Sequence, residues 1–141
     1  MDSEEISGDV RSFLLNAIGS YEELELLLLL HAHADEQWSP EAAAARLGLP
    51  LAAAAGALDE LRRHGLLEVP ATPPANPTLA FKYSSGNASA RLVDAVAGIY
   101  ATNRLGLMRV MSQNAIERVR TRALNFFSDA FIVGRKKDRD G

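Results

Sequence analysis

The chain has 141 residues, a net charge of −3, 48 percent hydrophobic residues and only 6 percent aromatic ones. That suits one domain, or a small domain with a helical extension, built on leucine, alanine and valine. Cysteine is absent, which excludes disulfides, thiolate metal sites and a cysteine nucleophile.

Charge is unevenly placed. Residues 1–41 hold ten acids and one base, residues 42–69 hold three of each, and residues 70–141 hold eleven bases and five acids. The start, MDSEEISGD, is acidic where a secretory signal would be basic. The leucine run Leu24 to Leu30 is too short to span a bilayer and includes Glu25. These features point to a cytoplasmic chain without a membrane partner. The acidic and basic parts are either solvated faces or surfaces that meet, within one chain or between two.

Residues 1–19 form an acidic segment with an apolar patch, Phe13, Leu14, Leu15 and Ile18, that suits a brief helix ending near Gly19. Ser20 then reads as the cap of a stronger helix, YEELELLLLLHAHADE, with Glu22 and Glu23 placed to favour its dipole. Ser39, Pro40 and Glu41 signal the next helix, AAAARL, which Gly48 ends. After Leu49 and Pro50 a third helix runs from about Leu51 to His64, with Ala54, Leu58 and Leu61 inward and Leu66 closing the pocket. Leu66–Val69 and Leu79–Tyr83 alternate as strands around a proline-rich loop, ATPPANPT, and together make a wing.

From Ala88 the chain turns helical again. Leu92, Val96, Ile99, Asn103, Leu107 and Val110 form a stripe of about six turns at 3.6 residues per turn. Ser112 is placed to cap a last helix with Ile116, Val119, Ala123, Phe126, Phe127 and Phe131 on one face. The charged end, GRKKDRDG, reads as unstructured. The expected fold is mainly α with a small β-hairpin: a winged helix-turn-helix over residues 20–86, two helices for dimerisation or docking over 87–132, and a charged tail over 133–141.

The stretch ARLGLPLAAAAGALDELRRHGLLEV resembles the helix-turn-helix and first wing strand of bacterial winged-helix regulators of the MarR type. RLGL (Arg46 to Leu49), the helix with Leu58 and Leu61, and HGLLEV (His64 to Val69) carry the resemblance, which covers a third to a half of the chain. The end, NFFSDAFIVGRKKD, is similar to tails of small uncharacterised proteobacterial winged-helix proteins. The resemblance implies a non-enzymatic regulator acting in transcription. In such regulators the start of the recognition helix offers polar side chains to base edges, because readout needs donors and acceptors. Here those places are Ala52, Ala53, Ala55 and Gly56.

Arg46, Arg62, Arg63, His64 and Lys82 remain as candidate phosphate contacts, which give affinity without sequence choice. Arg62 and Arg63 equally suit a solvated helix end. A smooth alanine face also suits packing against another protein, so a pure interaction module is the rival reading. A ligand sensor, using the cleft between wing and C-terminal helices, is a third. Leu92, Val96, Ile99, Asn103, Leu107, Ile116 and Phe127 are the candidate interaction residues. Asn103 either sets the register of a helix pair or faces solvent. Arg118, Arg120, Arg122 and the basic tail are a solvated face or a contact for an acidic surface. His31 and His33 point to different sides of a helix, so no metal is expected. Trp38 plugs the domain, and Ser84 and Ser85 are turn residues. No cofactor is expected. The expected partners are double-stranded DNA bound non-specifically, another protein, and a second copy of the chain.

Overall fold

A computed structural model describes the backbone of residues 6–70 and 79–140 and the side chains through residue 126. The elements in chain order are α1 (Gly8–Ala17), α2 (Tyr21–Ala32), α3 (Pro40–Leu47), α4 (Leu51–Arg63), β1 (Leu67–Glu68), β2 (Lys82–Tyr83), α5 (Ala90–Thr102) and α6 (Arg104–Asp140). Among the described residues the chain is thus mostly helical with one small antiparallel sheet. No described helix is long and apolar enough to cross a membrane.

Caps fix the helix-turn-helix. The Ser20 hydroxyl accepts from the Glu23 N–H, while the Glu23 carboxylate accepts from the Ser20 hydroxyl and the Gly19 N–H. That reciprocal arrangement satisfies donors that a helix start leaves open. α2 ends earlier than its sequence suggests, with His33 as C-cap. Ser39 caps α3 by accepting from the Ala42 N–H at 3.1 Å. Gly48 ends α3 at φ 68, and Gly65 follows α4 at φ 78. Both values lie in the left-handed region, where a side chain is disfavoured.

β1 and β2 pair antiparallel, with Leu67 opposite Tyr83 and Glu68 opposite Lys82. A further bridge joins Trp38 to Phe81 through two backbone hydrogen bonds of 2.8 Å each. The residue before the α3 cap therefore pairs with the returning strand of the wing. The Trp38 side chain packs against the core, as its expected plugging role requires.

α2 lies in the middle. Leu24, Leu26, Leu27 and Leu30 are fully buried, because α3, α4, α5 and β2 all pack around this helix. From α4 come Ala54, Ala57, Leu58 and Leu61, and Leu66 closes the same core. α1 adds Leu14, α5 adds Val93 and Val96, and α6 adds Leu107, Val110 and Met111. Helices from both ends of the chain thus share one apolar interior with the helix-turn-helix.

The stripe that reads as continuous to Val110 breaks at Asn103. This side chain makes the joint between α5 and α6. Its backbone N–H donates to the Ile99 carbonyl and ends α5. Its Oδ1 accepts from the Gly106 N–H at 3.1 Å and opens α6. A Cβ on Gly106 would lie 2.5 Å from the Asn103 Nδ2, so glycine leaves space for this seat. Ser112 lies inside α6 rather than at a helix start. Asn103→Ala should cost about 1 kcal/mol, the usual value of a lost cap, and Asn103→Asp should recover most of it. Urea unfolding of the three chains checks this.

The helix of α6 also continues through Gly134 to Asp140, where the sequence reads as an unstructured tail. Arginine and lysine are good helix formers and favour a helix C-terminus, and one glycine costs only about 1 kcal/mol.

Candidate nucleic-acid interface

α4 shows two unlike faces. Ala54, Ala57, Leu58 and Leu61 are buried against the other helices. Leu51, Ala52 and Gly56 are exposed, and Ala53 and Ala55 are partly so. None of these five carries a side-chain donor or acceptor, so the first two turns of the outer face offer nothing to a base edge.

The candidate cations sit at the margins. Arg46, in the last turn of α3, is exposed. Arg62 and Arg63 close α4, and both turn back onto its own acids. Arg62 Nη2 lies 2.8 Å from Asp59 Oδ1, Arg63 Nε lies 3.1 Å from Asp59 Oδ2, and Arg63 Nη1 lies 3.4 Å from Glu60 Oε1. The Arg62 hydrogen bond, with the charges of both guanidinium groups, holds the Asp59 carboxyl below its ordinary range against an opposing desolvation. The ion pairs are complete above that lowered range and fade as pH falls through it. Exposed pairs of this kind add little stability, but they leave the helix end with no net charge. His64 is exposed beyond the last turn, and Lys82 faces Glu68 across the wing. The wing tip, residues 71–78, lies outside the described residues.

A groove of about 410 Å³ runs between the start of α2 and the outer side of α4. It is lined by Ala52, Ala53, Gly56 and Ala57 of α4 and by the acids Glu22, Glu23 and Glu60. Sequence reasoning missed it. Glu22 reads as a dipole partner, and only the packing of α2 on α4 brings it near Glu60.

The C-terminal candidates separate by depth. Val96 and Leu107 are fully buried in the chain's own core, and Leu92 and Ile99 are partly buried against it. Ile116 is 61 percent exposed. The side chain of Phe127 lies outside the described residues. Arg118, read as a surface cation, donates through Nη2 to the carbonyls of Leu14, Leu15 and Ile18 at 2.9, 2.6 and 2.7 Å. It therefore caps the C-terminal end of α1. No sequence signal links positions a hundred residues apart.

His31 and His33 diverge as their spacing requires. His31 Nε2 lies 2.7 Å from Asp94 Oδ1 on α5, with its ring edge-on to Tyr83, whereas His33 pairs with Glu36 at 3.0 Å. Burial pushes the Tyr83 hydroxyl upward in pKa, and a hydrogen bond from Asn87 opposes this. Among the described residues no three histidine, aspartate or glutamate side chains gather as a metal site.

α2, α3, α4 and the β1–β2 wing define a winged helix-turn-helix, framed by helices from both chain ends. Two solved structures are similar to this chain. A MepR mutant from a multidrug-resistant S. aureus clinical isolate is 18 percent identical, with 92 percent of each chain covered and a TM-score of 0.52. A possible transcriptional regulator from Methanosarcina mazei Go1 is also 18 percent identical, covering 71 percent of this chain and 82 percent of that one at a TM-score of 0.49. The MepR likeness bears on fold and agrees with the winged helix expected from residues 39–69. No protein-family model and no curated protein matches the sequence.

Proposed function

We propose that the chain is a non-enzymatic, cytoplasmic regulatory protein of the bacterial winged-helix kind, acting in transcription through weak or partner-assisted DNA contact. The observation that carries this is the α4 outer face. It belongs to the helix that a winged helix uses for recognition, yet its first two turns hold no base-reading side chain. Arg46, Arg62, Arg63, His64 and Lys82 supply phosphate contacts, which hold a duplex without choosing its sequence. A second copy is the natural cover for the exposed Ile116, Val119 and Leu124 of α6. The rival reading, a pure protein-interaction module, draws support from Arg62 and Arg63 being paired to Asp59 and Glu60.

Fluorescence anisotropy with a random-sequence duplex at about 50 mM salt tests the reading. The expected result is sequence-indifferent binding that weakens steeply with added salt, to a Kd of about 10⁻⁴ to 10⁻⁶ M at physiological salt. Arg62→Ala with Arg63→Ala should abolish it. A flat titration at low salt hands the face to the interaction module.

A further inference from the structure

The first ionised side chain that follows the bare turns of α4 is Asp59. At about 100° per residue, Asp59 and Arg63 fall on the same side of the helix as Ala52 and Gly56. A duplex laid along this side meets a carboxylate before it meets the arginines, and a carboxylate repels phosphate. That carboxylate is engaged on both oxygens. Asp59 Oδ1 accepts from Arg62 Nε and Nη2 at 3.2 and 2.8 Å, and Oδ2 lies 3.1 Å from Arg63 Nε. One acid thus holds both arginines that close α4. Among the described residues Glu60 reaches Arg63 alone, through a longer contact of 3.4 Å. The Asp59 carboxyl lies below its ordinary range, first through the Arg62 hydrogen bond, so it is ionised near neutral pH and the grip is set in the free chain.

The grip is also loose. The side chains of Asp59, Arg62 and Arg63 are 38, 44 and 63 percent exposed, and exposed pairs are individually weak. A phosphate oxygen offers each guanidinium a charge-assisted hydrogen bond of the same kind, and association with a duplex releases counterions as well. Phosphates can therefore take the arginines from Asp59, at a loss of affinity set by the contacts that open. We propose that Asp59 is a built-in competitor of the phosphate backbone: it holds Arg62 and Arg63 until a duplex displaces it, and so sets how weakly the chain binds DNA. This rests on the DNA reading given above, in which both arginines touch phosphates. The plainer alternative is a helix end whose acids only lend it stability through neighbouring turns. That alternative gives Asp59 no special place in binding.

Duplex titrations at about 50 mM salt compare the full-length parent chain with Asp59→Asn, Asp59→Glu and Glu60→Gln. Asp59→Asn keeps the size of the side chain and removes its charge. It should bind at least about threefold tighter, with a steeper salt dependence. Glu60→Gln removes the same charge from the next residue and should gain less than about twofold. Asp59→Glu keeps the charge and should stay within about twofold of the parent. Circular dichroism should show the same helix content in all four chains. No gain in Asp59→Asn, an equal gain in Glu60→Gln, or an equal gain in Asp59→Glu overturns the proposal. Inorganic tripolyphosphate, titrated into isotope-labelled chains and followed through the arginine Nε–H resonances, separates this from the DNA reading. If no chain binds duplex while Asp59→Asn holds tripolyphosphate more tightly than the parent does, the DNA reading falls and the competition by Asp59 stands. If the parent and Asp59→Asn bind duplex alike, the competition falls and the DNA reading stands. If no chain binds duplex and tripolyphosphate does not distinguish the two, both fall.

Discussion

Leu58→Ala should destabilise the chain by about 3 kcal/mol, within the range for a buried leucine cut to alanine. Leu58 is fully buried in the middle of α4, the helix that packs on both α2 and α3. The loss combines the transfer free energy of the removed atoms with the cavity they leave, since neighbouring helices relax only in part. Leu51→Ala on the same helix should cost less than about 0.5 kcal/mol, because Leu51 is 52 percent exposed. Urea unfolding with unchanged m-values separates the two. A larger loss at Leu51 than at Leu58 would mean that the faces of α4 are assigned the wrong way round.

Arg118→Ala should cost about 2 kcal/mol, the scale of hydrogen bonds to a charged group. One guanidinium nitrogen serves three carbonyls at the end of α1, so the bonds share their protons and do not add fully. The charge also favours the negative end of that helix. Loss of the arginine should loosen α1 before the rest. In hydrogen exchange the α1 amides should lose protection while those of α2 keep theirs. Equal loss in both helices would show that Arg118 acts on the whole fold rather than on α1.

The helix-turn-helix was legible because its signals are local. Ser39 and Pro40 start α3, and Gly48 and Gly65 stop α3 and α4 at positive φ. The inward face of α4 followed from the spacing of Ala54, Leu58 and Leu61, which are all fully buried. The outward alanines followed from the resemblance to winged-helix regulators, whose reading positions fall on Ala52, Ala53, Ala55 and Gly56. What stayed hidden depends on distant partners. Asn103 reads as one polar residue in an apolar stripe, and its capping role shows only in the bond to Gly106. The Trp38–Phe81 bridge and the grip of Arg118 on α1 join segments far apart in sequence. Arg62 and Arg63 were visible as a basic pair, but their rotation onto Asp59 and Glu60 was not. That pairing sets two acids beside the two cations at the end of α4.

Duplex affinity of a chain carrying Ala52→Arg and Gly56→Arg decides whether α4 presents a bare surface in the reading position. Both residues are exposed, and a Cβ at Gly56 has open space. Two new cations one helical turn apart should raise random-duplex affinity at least about tenfold at low salt and steepen its salt dependence, and the loss of a mid-helix glycine should stabilise the fold by up to about 1 kcal/mol. An affinity unchanged from the parent chain, or a chain that no longer folds, would contradict this placement of α4.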